Sequence, residues 1–226
     1  MQIGLILDTF ETNGVAPGWD AIAAKVAAAE DVGFDLVTIP DGISFEGAGF
    51  WEAMVVAGAI AASTTDIGIT HSVVNAPMRP PALVASAAQA IDEVSGGRYT
   101  LGIGAGNTPD DYEAFAIDAD PRVSRFADTI AIIHGLLRDG AVDHDGPFAT
   151  AHTDRLEPRG PRPGAIPINI AGSGPRMLGL VARYADEWNW WAMGSGGSDH
   201  LPEVIERLDA ALAETGRTVR RTLDVY

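Results

Sequence analysis

The sequence contains no cysteine. Disulfides, thiolate metal sites and a cysteine nucleophile are therefore excluded. Basic residues are scarce as well. Fifteen Lys and Arg stand against 31 Asp and Glu, a formal net charge of −16. A surface this acidic repels nucleic-acid phosphates and anionic membranes, so neither is expected as a partner. The most apolar stretch, Met54 to Ala62, is too short to span a bilayer. The opening run Ile3–Leu7 has no basic flank and ends at Asp8, so it reads as a buried strand rather than a secretory signal, and a cytoplasmic location is expected. There is no Gly-x-Ser-x-Gly elbow. Ser173 has glycine only as its immediate neighbours, which disfavours a serine hydrolase. His144, His152 and His200 show no metal-ligand spacing, and no metal site is expected.

What is present fits one large α/β domain over residues 1–226. The composition, 46% hydrophobic and 20% charged, supports a sizeable core. Strand-like runs begin at residues 3, 36, 67 and 99, at intervals of 33, 31 and 32, each followed by a helical segment. That rhythm predicts a repeated βα unit and a parallel sheet. The runs are continuously apolar rather than alternating, as in strands buried on both faces. Helices are expected at Trp19–Val32, Phe50–Ala62, Pro80–Val94 and Asp120–Arg138. The rhythm breaks over residues 139–166, where eight glycines and prolines mark a loop insertion with a hairpin near Asp145-Gly146. It resumes with strand Ile168–Ala171, helix Pro175–Tyr184, strand Glu187–Trp191, a flexible loop at Gly194–Ser198, helix Pro202–Glu214 and strand Thr222–Tyr226. The total is seven strands. The expected fold is thus a TIM-type (β/α) barrel shortened at its C-terminus, with a dimer partner as one way to cover the gap.

In such barrels the chemistry sits at the C-terminal ends of the strands. Asp8, Asp41, His71, Asn107, Gly172–Gly174 and Trp191 fall there. Gly172-Ser173-Gly174 precedes a helix, where free backbone amides and the helix dipole suit a phosphate; an ordinary tight turn fits the same residues. His71 reads either as an acid–base group or as a hydrogen-bonded core histidine. Asp8 and Asp41 read either as paired carboxylates of a glycosidase type or as turn caps. The cluster Trp188, Trp190 and Trp191 either lines a pocket or packs. Gly102 to Gly106 lacks the third glycine and the helix of a dinucleotide fingerprint, and is more consistent with a flat ring packed against small residues.

Several segments, in order, are similar to the luciferase-like monooxygenase family. They are Glu30–Val37, Asn75–Ala82, Ile91–Arg98 with Leu101–Gly106, and Gly172–Pro175 with Ala182–Asn189. The resemblance implies a barrel that binds FMN or coenzyme F-420 and oxidises, reduces or oxygenates a small organic substrate. It implies ring contacts at Asp41, Ser72, Val73, Gly106 and Asn107, with a non-proline cis peptide at Ser72-Val73, and phosphate contacts at Gly172, Ser173 and Gly174. Deazaflavin-dependent relatives carry a histidine after the aspartate, where Gly42 stands here. The expected catalytic residues are then Asp41 and His71, the latter as a substitute. A homodimer is expected. A non-catalytic flavin-binding barrel is the alternative.

Overall fold

The computed structural model describes residues 1–45, 47–191 and 198–224. Seven strands form one parallel sheet. They are β1 (Gly4–Ile6), β2 (Leu36–Ile39), β5 (Gly68–His71), β7 (Tyr99–Gly104), β10 (Ile168–Ala171), β11 (Glu187–Trp191) and β12 (Arg220–Asp224), hydrogen-bonded in that order. Two residues, β6 (Val74–Asn75), pair with β7 beyond the end of β5. The mini-hairpin β3 (Ser44–Phe45) and β4 (Ala48–Gly49) follows β2. The helices are α1 (Trp19–Asp31), α2 (Ala53–Ser63), α3 (Pro81–Ser95), α4 (Pro109–Ala114), α5 (Arg122–Asp139), α6 (Pro175–Tyr184) and α7 (Leu201–Thr215).

Local chemistry sets these boundaries. Helix α3 starts on Pro81, whose missing N–H costs nothing in a first turn. It ends on Gly96, held at φ 65°, a conformation open to glycine. Its buried stripe Val84, Ala88, Ile91 and Ser95 follows the helical period and lies on the sheet. Asp128 in α5 holds the hairpin β8 (Val142–Asp145) and β9 (Thr150–Thr153) by accepting from Phe148 N at 2.8 Å and meeting His144 Nε2 at 3.1 Å. The expected hairpin inside 139–166 is therefore real, and it is pinned to a helix rather than loose.

The two faces of the sheet differ. Register aligns Val37, Ile69 and Tyr99, then Ile39 with His71, on the face that meets the helices. The other face carries Thr38, Thr70 and Thr100 in one row, Gly102, Asn169, Glu187 and Arg220 in the next, and Ala171, Asn189 and Thr222 above that. Branched aliphatic side chains dominate the interior of most (β/α) barrels. Here the inner face mixes Ile6 and Leu36 with threonines, asparagines and Glu187, so the strands are buried on both faces, as expected, but apolar on only one. The sheet curls far enough that Ser72, at the end of β5, reaches Asp224 at the end of β12, four places along the order. Among the described residues β1 and β12 do not pair, and the contact Arg220 Nη1 to Gln2 Oε1, 2.5 Å, bridges them.

Most predicted elements stand within two or three residues of their expected places. The strand Ile67–Val74 is interrupted at Ser72-Val73. The last strand begins two residues earlier than expected, at Arg220. The expected flexible loop Gly194–Ser198 lies almost wholly outside the described residues. Helix α4 and the mini-hairpin were not anticipated.

Candidate active site at the strand C-termini

Asp41 follows β2, and its side chain has no exposed surface. Its carboxylate accepts from Asn75 N at 2.7 Å and takes a two-pronged bond from Arg79, Nη1 to Oδ2 at 2.6 Å and Nη2 to Oδ1 at 2.8 Å. Arg79 also binds Glu52, whose other oxygen caps α2 through Val55 N at 2.7 Å. Burial alone would lower the Arg79 pKa. The bonds and charges of Asp41 and Glu52 outweigh that and raise it, so the guanidinium stays charged. Asp41 is thereby a clamp that ties the end of β2 to the turn after β6.

The clamp leads directly to the glycine segment. Asn75 Oδ1 accepts from Tyr112 Oη at 2.7 Å, and its Nδ2 donates to Thr108 Oγ1 at 2.8 Å. Gly106, at φ 83°, lies against this pair: a Cβ there would fall 1.9 Å from Tyr112 Oη and 2.3 Å from Asn75 Oδ1. Two residues earlier, at the end of β7, a Cβ on Gly104 would meet Val73 Cγ2 at 2.9 Å and Ala171 Cβ at 3.9 Å. The Ser72-Val73 peptide is cis, as expected. Ser72, Val73 and Gly106 thus lie together at neighbouring strand ends, braced by the enclosed Asp41 carboxylate through Asn75 N. Asn107 lies beside it, exposed.

The phosphate candidates adjoin that surface through Ala171. Gly172 O accepts from Trp188 Nε1 at 2.7 Å, which fixes the start of the turn. Gly174 is the N-cap of α6 and has no side-chain cap bond; nothing lies within 4 Å of a Cβ built on it. Two guanidiniums flank the glycine turns: Arg122 Nη1 donates to Gly106 O at 2.9 Å, and Arg176 Nη2 to Ser124 Oγ at 2.9 Å. Open backbone donors beside positive side chains fit an anion. These arginines were missed in the sequence because neither lies in the glycine motifs themselves.

His71 is the main correction. It is 1% exposed and faces the helix layer, away from the inner wall. Nδ1 lies 3.0 Å from Tyr99 Oη and Nε2 3.3 Å from Ala53 O. Both contacts are satisfied by one neutral tautomer, with Nε2–H donating to the carbonyl and Nδ1 accepting from the phenol. Burial, partly offset by Asp41, pushes its pKa down to about 4. That geometry suits a structural histidine, not a proton donor at the mouth. The folded-state value lies below the ordinary 6.5. The contribution to stability is therefore complete above that pH and is lost as pH falls toward 4. The expected loss is about 3 kcal/mol. Chemical denaturation of wild type and His71→Asn between these pH values should show that much less acid sensitivity in the variant.

The carboxylate pair Asp8 and Asp41 is also corrected. Asp8 is exposed and bonds Lys25 at 2.5 Å, while Asp41 is enclosed by Arg79. Two carboxylates so placed do not flank a common bond. Trp188 and Trp190 are core residues, 1% and 2% exposed, and only Trp191 shares the inner face with Asp224. A concavity of about 400 Å³ lined by Arg138, Asp186, Glu187 and Arg220 lies at the opposite, N-terminal end of the strands. The mouth, not this depression, has the glycine approaches and open donors.

The profile of the luciferase-like monooxygenases matches residues 1–226. The chain belongs to that family. A protein of Mycobacterium tuberculosis is 31% identical to this luciferase-like chain over 210 residues, covering 84% of the chain and 71% of the relative. The 5,10-methylenetetrahydromethanopterin reductase of Archaeoglobus fulgidus is 33% identical over 193 residues, covering 85% and 54%. In structure, the coenzyme F420-dependent tetrahydromethanopterin reductase of Methanopyrus kandleri superposes with a TM-score of 0.79 at 20% identity, covering 98% of the chain and 65% of that protein. The chain thus spans about half of the Archaeoglobus relative and roughly two thirds of the other two. Among its described residues no helix is long and apolar enough to cross a membrane.

Proposed function

We propose that this chain is an oxidoreductase that binds coenzyme F-420 or FMN at the C-terminal mouth of the sheet and acts on a small organic substrate. Ser72, Val73, Gly106 and Asn107 would hold the ring, and Gly172, Ser173 and Gly174 the phosphate. The observation that carries this reading is the contiguity of the two seats: small residues pressed into close approach on β5–β7, and an uncapped, open helix start on the next strand. The bound coenzyme would supply two-electron chemistry that no side chain here supplies. The chain's own residues would position it. Asp41 and Arg79 fix the wall beside the ring, and the α6 amides with Arg122 and Arg176 receive the anionic end. F-420-dependent and FMN-bound relatives share this fold, so both coenzymes stay within the reading.

Three finer readings accompany it. Residues 1–226 form one barrel domain. The protein is a homodimer, supported by exposed apolar side chains on α2 and α3, where Val55, Leu83 and Val94 stand 71%, 63% and 53% exposed. It works in the cytoplasm. The non-catalytic alternative draws support from the placement of His71 and Asp41, since neither offers a free acid–base group.

Titration of the purified protein with F-420 and with FMN, read by coenzyme fluorescence, is expected to saturate for at least one of them. Ser173→Asp, which sets a negative charge at the α6 N-terminus, is expected to weaken that binding about tenfold. Absence of saturable binding by either coenzyme in the wild type would discard the reading.

A further inference from the structure

Two polar features are left over once the coenzyme seats are assigned, the inner wall and the carboxyl at its upper end. The inner wall of the sheet holds Thr38 and Asn169, at 5% and 4% exposure, and Asn189 at 4%. Thr38 Oγ1, Thr70 Oγ1, Asn169 Oδ1, Asn189 Oδ1 and Trp191 Nε1 have no hydrogen-bond partner among the described residues. Buried groups left unpaired each cost about 1–3 kcal/mol, a cost on this wall that a water or a polar ligand group would relieve. At its upper end the wall finishes on a carboxyl, Asp224, which Ser72 Oγ reaches from across the mouth.

We propose that Asp224 is the acid–base residue of this site, held by Ser72 with Asn189 below it, and that the substrate presents a carbonyl oxygen, or an imine nitrogen, to it. This rests on the coenzyme reading above, because Ser72 belongs to the ring seat. The placement answers what His71 and Asp41 cannot. Asp224 closes β12 on the inner face, in register with Trp191, and is half-buried rather than sealed. The groups that face its carboxyl are neutral: Ser72 from the turn after β5 and Asn189 from β11. Among the described residues no guanidinium clamps it, in contrast to Asp41. Below it Asn189 Nδ2 donates to Thr222 Oγ1 at 3.1 Å, and Thr222 Oγ1 donates to Trp188 O at 3.1 Å, which fixes the amide. Burial raises the Asp224 pKa, and the bonds from Ser72 and Asn189 oppose it less strongly. A serine hydroxyl accepts from a neutral carboxyl and donates to an ionised one, so the pair survives the loss of the proton.

In the reducing direction the carboxyl O–H bond breaks and a new O–H bond forms on the substrate oxygen, while the electron pair and hydrogen for carbon come from the reduced deazaflavin or flavin. The carboxylate left behind keeps the Ser72 hydroxyl as donor. In the oxidising direction the carboxylate takes the hydroxyl proton back.

Two measurements test this. Infrared spectra of the coenzyme-free wild type, taken as pH rises through the carboxyl range, are expected to show a neutral carboxyl band that outlasts those of ordinary aspartates and is absent from Asp224→Asn. Coenzyme-loaded Asp224→Asn is expected to keep wild-type coenzyme affinity, lose about 100-fold in carbonyl reduction, and lose the fall in rate that the wild type shows as pH rises through the Asp224 pKa. Asp224→Glu should recover part of both. A wild type without the band, or an Asp224→Asn variant with unchanged turnover and pH profile, overturns the assignment and leaves coenzyme binding standing. If the variant does not fold, the wild-type band decides. Failure of the wild type to bind either coenzyme overturns the coenzyme reading instead.

Discussion

Replacing Arg79 with methionine is expected to lower folding stability by about 3–5 kcal/mol, the usual effect of stranding one member of a buried ion pair. Asp41 would keep only the Asn75 N–H, with its side chain still enclosed. The loss should be far greater than for Glu52→Gln, because Glu52 is about half exposed and water takes over its bonds. The double variant Asp41→Asn with Arg79→Met is expected to regain much of the loss, since no charge is then left buried. Urea unfolding of the four proteins measures this. Equal stability of Arg79→Met and wild type would mean that Asp41 is not enclosed as described. The same series bears on function. The clamp sets the position of Asn75, Asn75 supports Gly106, and the variants should therefore bind coenzyme more weakly even where they remain folded.

Gly102→Ala is the second large effect. A Cβ at this position would lie 1.8 Å from His71 O and 2.8 Å from its carbonyl carbon. Those are backbone atoms of the adjacent strand, so no rotamer change relieves the clash. Overpacking of a core costs about 1–3 kcal/mol when side chains can shift, and here the strands themselves must separate. We expect a loss of about 3 kcal/mol or more, seen as a large fall in melting temperature or as insoluble protein. Gly58→Ala, in α2 with nothing within 4 Å of the new Cβ, is the matched control and should be neutral or slightly stabilising. A Gly102→Ala protein as stable as the wild type would show that β5 and β7 approach less closely than described.

Much of the architecture could be read from the sequence because it depends on local signals. Strand spacing near 32 residues, Pro81 opening α3, Gly96 closing it, and Pro175 after Gly172-Ser173-Gly174 are short-range chemistry, and each led to the right element. What could not be read depends on pairing across the sheet. The threonines at 38, 70 and 100 look like ordinary strand residues until register places them in one row. His71 lies at a strand end, where chemistry is expected, but its side chain takes the helix-facing side because Ile39, its register partner, does. Position alone does not reveal that. Arg79 follows Asp41 by 38 residues and Asp224 follows Ser72 by 152, so no spacing rule connects either pair. Helix α4 was missed because Asn107-Thr108-Pro109 reads as a break, whereas Pro109 is the first residue of the helix.

The hydroxyl and amide rows of the inner face also have a consequence for folding. Thr38, Asn169 and Asn189 keep polar atoms that are shut off from solvent and unpaired among the described residues. Each such group costs about 1–3 kcal/mol. The curled sheet therefore gives up stability along these rows that a packed aliphatic interior would retain.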